Sequence, residues 1–148
     1  MERFKTDSKY IIKGIARSDE AFSLISKPAS DDVLLTFVPR LFIDEVGKVF
    51  SPTLTAYFVD EKEQEISNKL LFRMDFLVKD KLPIKLNRGK MEVADFGMII
   101  TMFDTTIGAF RGIFFEWLKD SPFQKPLPII DLDDFLKNLN VSFVKANE

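Results

Sequence analysis

Three carboxylates crowd the segment "DLDDF", at Asp131, Asp133 and Asp134. Neighbouring acids can do proton-transfer chemistry when one of them is held neutral. Here the same residues also spell a helix start. Asp131 is a good N-cap, and Asp133 and Asp134 would stand in the first turn, where the helix dipole favours negative charge. That role accounts for the cluster without chemistry. The segment "NRGK" pairs a glycine with a lysine but lacks the spacing of a phosphate-binding loop. The chain has no histidine and no cysteine. This excludes thiol nucleophiles, serine–histidine–aspartate triads, histidine acid–base catalysis and the usual zinc ligand sets. The expectation is a protein that is not an enzyme and that uses no metal or cofactor.

The elements that hold these residues belong to one domain spanning 1–148, a length sufficient for a real core without cross-links. A net charge of −2 and a pI near 5.3 argue against a broadly basic nucleic-acid surface. The opening "MERFKTDSKYIIKG" has charges but no apolar run of the secretory kind. The longest apolar stretch is interrupted by Asp104, Arg111 and Glu116, so no membrane insertion is expected. With no disulfide possible, a cytoplasmic protein is the expectation. The compositional oddity is 16 phenylalanines.

Residues 9–25 read as a β segment broken near Ser18–Glu20, followed by the loop "SKPASDD". Three alternating strands come next. Val33, Leu35, Phe37, Leu41 and Ile43 share a face, with Pro39 demanding an edge or a bulge. Phe50, Leu54, Ala56 and Phe58 oppose Thr53, Thr55 and Tyr57; Leu70, Phe72, Met74, Phe76 and Val78 oppose Arg73 and Asp75. Such alternation predicts an antiparallel sheet with one covered and one wet face. "KDKLPIKLNRGK" carries five Lys or Arg against one Asp and reads as a solvated basic loop. From Met91 the period turns helical. Phe96, Ile100, Phe103, Ile107, Phe110, Phe114 and Trp117 form a stripe wide enough to cover the sheet. "KDSPF" stops that helix, "QKPLPII" is an extended connector, and "DLDDFLKNLN" is a short final helix. The fold class is α+β: a four-stranded antiparallel sheet covered on one face by a long helix.

A second row runs beside the helical stripe: Met98, Met102, Thr105, Ala109 and Gly112, flanked by Gly108 and Ile113. Each glycine costs about 1 kcal/mol in a helix interior relative to alanine. Small residues let another backbone approach closely, so the row reads as a subunit contact. The alternative is that the glycines relieve crowding against the domain's own sheet.

The chain order, together with "FRGIFFEWLKDSPFQKPLPIIDLDDFLKNL" and "IIKGIARSDEAF", resembles the SecB export-chaperone family over roughly residues 8–140. The shared features are an aromatic-x-Arg step before an apolar helix end, a "PF", an alternating connector, an acid-capped final helix, and a first strand of the form I-x-x-I-x-x-x-D-x-x-F. The resemblance implies a homotetrameric chaperone, a dimer of dimers, that holds unfolded preproteins in apolar grooves without nucleotide and delivers them to SecA. Helices meet between the dimers in that family, in line with the glycine row. Family docking of SecA uses acids on the sheet's wet face, and Asp19 and Asp75 match two of those positions. Another family carboxylate falls at Ser23, and an apolar family position falls at Arg73. Some SecB-like proteins serve antitoxins instead.

A holdase needs sheltered yet accessible apolar surface. Two segments carry more of it than a core requires: Phe22, Leu24 and Ile25 after the first strand, and Phe123, Leu127, Ile129, Leu132, Phe135, Leu136 and Leu139 in the connector and last helix. The resemblance implies a client groove in the same two regions. An apolar-ligand carrier built from the same phenylalanines is the competing function.

Overall fold

The structure, a computed structural model, describes residues 9–28 and 32–144. Residues 1–8, the middle of the "SKPASDD" loop and residues 145–148 lie outside it. In chain order the elements are β1 (Tyr10–Arg17), β2 (Leu34–Asp44), β3 (Val49–Val59), β4 (Leu70–Val78), β5 (Ile84–Asn87), β6 (Lys90–Val93), α1 (Phe96–Trp117), α2 (Leu132–Phe135) and β7 (Asn140–Phe143).

The sheet has five strands in the order β1-β4-β3-β2-β7, with β1–β4, β4–β3 and β3–β2 antiparallel and β7 parallel to β2. It is therefore a mixed five-stranded sheet and not the four-stranded antiparallel one expected. The extra strand is only four residues long and pairs Val141 with Leu41 and Phe143 with Ile43. So short an alternation carries no local strand signal, and its partner is remote in sequence. β7 covers Arg40–Ile43, which leaves Pro39 at an unpaired edge on that side.

The basic loop is a second correction. Its residues form the β5–β6 hairpin, closed by Arg88 at φ 52 and Gly89 at φ 78. Both turn positions are left-handed, as a tight hairpin turn requires. Ile84 is buried, whereas Leu86, Met91 and Val93 remain exposed.

The alternating residues of β2, β3 and β4 supply the covered face. Leu41, Ile43, Phe50, Leu54, Phe72 and Phe76 are fully buried there beneath Phe103, Phe110 and Phe114 of α1. Phe110 lies between Phe37 at 5.3 Å, Phe72 at 6.0 Å and Phe114 at 5.7 Å. A fully buried ring of this kind contributes about 2–3 kcal/mol by removing apolar area from water. α1 begins where Asp95 accepts a hydrogen bond from the Met98 amide at 3.1 Å, an N-cap in the usual sense. By length and composition α1 could cross a membrane, but here its core-facing side is spent on the sheet.

The opposite sheet face is drier than expected, since Ser51 and Thr53 are buried. Thr53 stands in register between Arg40 and Arg73.

Candidate functional site

The site is organised by the way the chain leaves α1. The helix closes at Leu118, whose amide donates to the Phe114 carbonyl, and Asp120 then turns left-handed at φ 66. Ser121 Oγ accepts from the Phe123 amide at 3.1 Å, and Pro122, Pro126 and Pro128 keep the following connector extended. Arg111 holds that connector against the helix. Its Nη1 donates to the Leu127 carbonyl at 2.6 Å and to the Pro128 carbonyl at 3.1 Å. Gln124 Nε2 adds a longer bond to the Phe115 carbonyl at 3.4 Å.

Held off in this way, the connector encloses one side of an apolar cleft of about 350 Å³. Val33 just before β2 and Leu35 within it line one side, β3 contributes Phe58, α1 contributes Phe114, and the connector contributes Phe123 and its prolines. The rings interlock. Phe58 stacks on Phe123 at 5.1 Å, and Phe22 meets Phe123 edge-on at 5.9 Å and Trp117 edge-on at 5.0 Å. Leu24 and Ile25 follow Phe22 in the chain and lie outside the lining of the cleft. Leu24 bridges Ser67, Ile25 donates its amide to the Ile66 carbonyl at 2.8 Å, and Ser67 Oγ accepts from the Phe58 amide. The volume suits one or two large side chains. The lining is apolar apart from Lys125, so it offers contact without directional chemistry.

The ten residues expected to line a groove divide into three groups. Phe123 lines the cleft, and Phe22 packs beside it. Leu24 at 48%, Ile25 at 60% and Ile129 at 97% exposure are free apolar surface. Leu127 and Leu136 are core residues instead, at 5% and 3% exposure, and the half-buried Leu132, Phe135 and Leu139 pack against the same core. Phe135, for example, stacks on Phe37 at 4.8 Å. Leu132, Phe135 and Leu139 therefore divide their apolar area between the core and solvent. Val33, Leu35, Phe58 and Phe114 were missed because each already has a place in a regular core-facing stripe. Arg111 was missed because nothing in a helical sequence says that an arginine grips a distant carbonyl.

The two acids matched to docking positions are not brought together. Asp75, on the outer sheet face, accepts from Ser51 Oγ at 2.6 Å and pairs with Arg73 Nε at 3.0 Å. Asp19 instead lines a polar cleft of about 450 Å³ with Glu20, Glu116 and Asp120, at the C-terminal end of α1. The three acids of "DLDDF" do what their spacing predicts: Asp131 Oδ1 accepts from the Asp133 amide at 3.1 Å and the Asp134 amide at 3.4 Å. Among the described residues no group of three histidine, cysteine or acidic side chains could hold a metal ion.

The second row of α1 is partly bare. Thr105, Gly108, Ala109 and Gly112 are exposed, and a β-carbon added at either glycine would meet nothing within 4 Å. Relief of crowding against the domain's own sheet is thereby ruled out as the reason for the glycines. Met98 and Met102 do not belong to this strip, because both are buried in the core cluster. Their unbranched side chains reach from the helix flank into the interior.

No family model matches the sequence, and no curated protein sequence matches it. The fold is similar to that of the SecB-like chaperone Rv1957 of Mycobacterium tuberculosis, solved with a ChAD peptide from the Rv1956 HigA1 antitoxin. The two share 14% identity at a TM-score of 0.53, over 83% of this chain and 91% of that one. The chain thus has the α+β fold of a SecB-like protein.

Proposed function

We propose that this chain is an ATP-independent chaperone that holds unfolded polypeptide segments at the aromatic-walled cleft. The observation that carries the reading is the cleft itself, apolar and walled by Phe58, Phe114 and Phe123, with exposed Leu24 and Ile25 close in the chain to Phe22, which packs on Phe123. Burying a client's aromatic or aliphatic side chain there removes apolar area from water and requires no particular sequence. The prolines keep the connector from collapsing onto β2, so the cleft is formed before a client arrives. No chemistry is assigned to the protein, which acts by contact alone. The antitoxin peptide held by the similar M. tuberculosis structure supports a polypeptide as the occupant, and it favours a toxin–antitoxin role as a second reading. Delivery to SecA is the less supported role, since Asp75 is engaged by Arg73 and Ser51 and Asp19 faces a different cleft. A homotetramer would cover the bare strip at Gly108 and Gly112.

The test is light scattering from several unrelated, chemically unfolded clients during refolding, with and without stoichiometric protein. The exposed trio Leu24→Ser, Ile25→Ser and Ile129→Ser should weaken suppression while leaving the fold intact. Leu127 is a poor probe because it is buried. Failure of the wild type to suppress aggregation of any client would end the holdase reading. A stoichiometric small molecule in the native mass spectrum would favour the apolar-ligand carrier.

A further inference from the structure

Trp117 is the one tryptophan of the chain, and it is buried, at 6% exposure. Among the described residues, its Nε1 is the one buried side-chain nitrogen or oxygen with no hydrogen-bond partner. An N–H that leaves water and gains no acceptor destabilises a fold, and native structures rarely keep one. A phenylalanine would supply a ring there without the orphaned donor, so packing alone does not account for the indole.

Trp117 stands between two clefts. With Phe22 it lines the polar cleft of about 450 Å³ at the end of α1. Its ring also meets Phe114 at 6.4 Å, while Phe22 meets Phe58 at 6.0 Å and Phe123 at 5.9 Å. Phe58, Phe114 and Phe123 wall the aromatic cleft. The two clefts are therefore a single layer of rings apart. The Phe22 ring centre lies 5.9 Å from that of Phe123 and 5.0 Å from that of Trp117, so the latter two are at most about 11 Å apart, about three residues of extended chain.

Phe22 is the member of that layer that can yield. The backbone on both sides of it is fixed, because Asn68 Nδ2 donates to the Ala21 carbonyl at 2.8 Å and Asn68 Oδ1 accepts from the Ser23 amide at 2.9 Å. Its side chain is only half-buried, so a change of rotamer opens a path to the indole while the loop stays in place. The charges around the polar cleft then select the acceptor. Asp19, Glu20, Glu116 and Asp120 line it against Arg17 and Lys119, and all six are exposed. The excess of carboxylates disfavours an anionic acceptor. A neutral one remains, and a polypeptide carries one at every residue, its main-chain carbonyl.

We infer that Trp117 Nε1 donates a hydrogen bond to a main-chain carbonyl of a bound, extended polypeptide, about three residues along from the apolar side chain held in the aromatic cleft. Resting on the chaperone reading above, this contact gives the bound segment a fixed position without requiring a particular client sequence, since every residue offers the same carbonyl.

The probe is a capped, uncharged decapeptide of phenylalanine, glycine and serine. A single tryptophan gives a single indole N–H resonance in the nitrogen-15 spectrum of the protein. Adding the peptide should move that proton downfield and slow its exchange with water. Trp117→Phe keeps a ring and removes the donor, and should weaken binding by about fivefold in fluorescence polarisation. Replacing the peptide's amides one at a time by esters weakens one carbonyl at a time. At one position the ester should weaken binding to the wild type and not to Trp117→Phe, a coupling that a purely structural role of the indole would not produce. The inference is overturned if the indole proton stays where it is while the peptide binds, if no ester position couples to Trp117→Phe, or if the same peptide with a free terminal carboxylate binds more tightly and moves the indole proton further. In each of those cases suppression of client aggregation by the wild type would still support the chaperone reading. A wild type that neither binds the peptide nor suppresses aggregation would remove both.

Discussion

Replacing Arg111 by methionine should detach the connector from the helix it lies against. The variant keeps the apolar stem and removes the guanidinium alone. Two hydrogen bonds disappear, at 2.6 Å to the Leu127 carbonyl and 3.1 Å to the Pro128 carbonyl. A bond from a charged donor nets about 1.5–3 kcal/mol, but these two share one nitrogen and the second is exposed, so their sum is about 2 kcal/mol. For a chain of this length that is a fall in Tm of about 6 °C. Urea denaturation at unchanged slope would measure the loss. Hydrogen exchange over 122–130 should speed up, and suppression of client aggregation should drop, because the connector walls the cleft. A loss below about 0.5 kcal/mol with unchanged exchange would mean that burial of Leu127 holds the connector without Arg111.

Gly112→Leu should preserve the fold, since a β-carbon there meets nothing within 4 Å, while sedimentation shifts to a smaller species; unchanged assembly would remove the strip as an interface. Leu136→Ala should cost about 2–4 kcal/mol by urea titration, while Ile129→Ser should stay within about 0.5 kcal/mol, the reverse of what equal membership in a groove would give. Burial of Tyr10 beside Phe76 raises its hydroxyl pKa above 10.0. The unfolded chain therefore ionises first, so the contribution is full below pH 10 and is lost as pH rises through the folded value. Tyr10→Phe should flatten that decline in stability at alkaline pH.

Local grammar in the sequence was enough for the sheet's four long strands, the long helix and the cap of the short one. Period two in β2, β3 and β4, the helical spacing from Phe103 to Trp117, and the acid at 131 act within a few residues of chain, so each is legible where it stands. Absence of histidine and cysteine likewise bounded the chemistry before any coordinates. What depended on contact between remote segments did not show. β7 exists because Val141 and Phe143 find Leu41 and Ile43. Met98, Met102, Leu127 and Leu136 look as free in sequence as Ile129 does, and packing alone decides that four are buried and one is not. The cleft belongs to this second class. Its walls come from four separate elements, and its open shape depends on Arg111 reaching carbonyls sixteen and seventeen residues further along the chain. Residue type fixes what a side chain can contribute, but only the tertiary arrangement decides whether its apolar area is spent on the core or left for another chain.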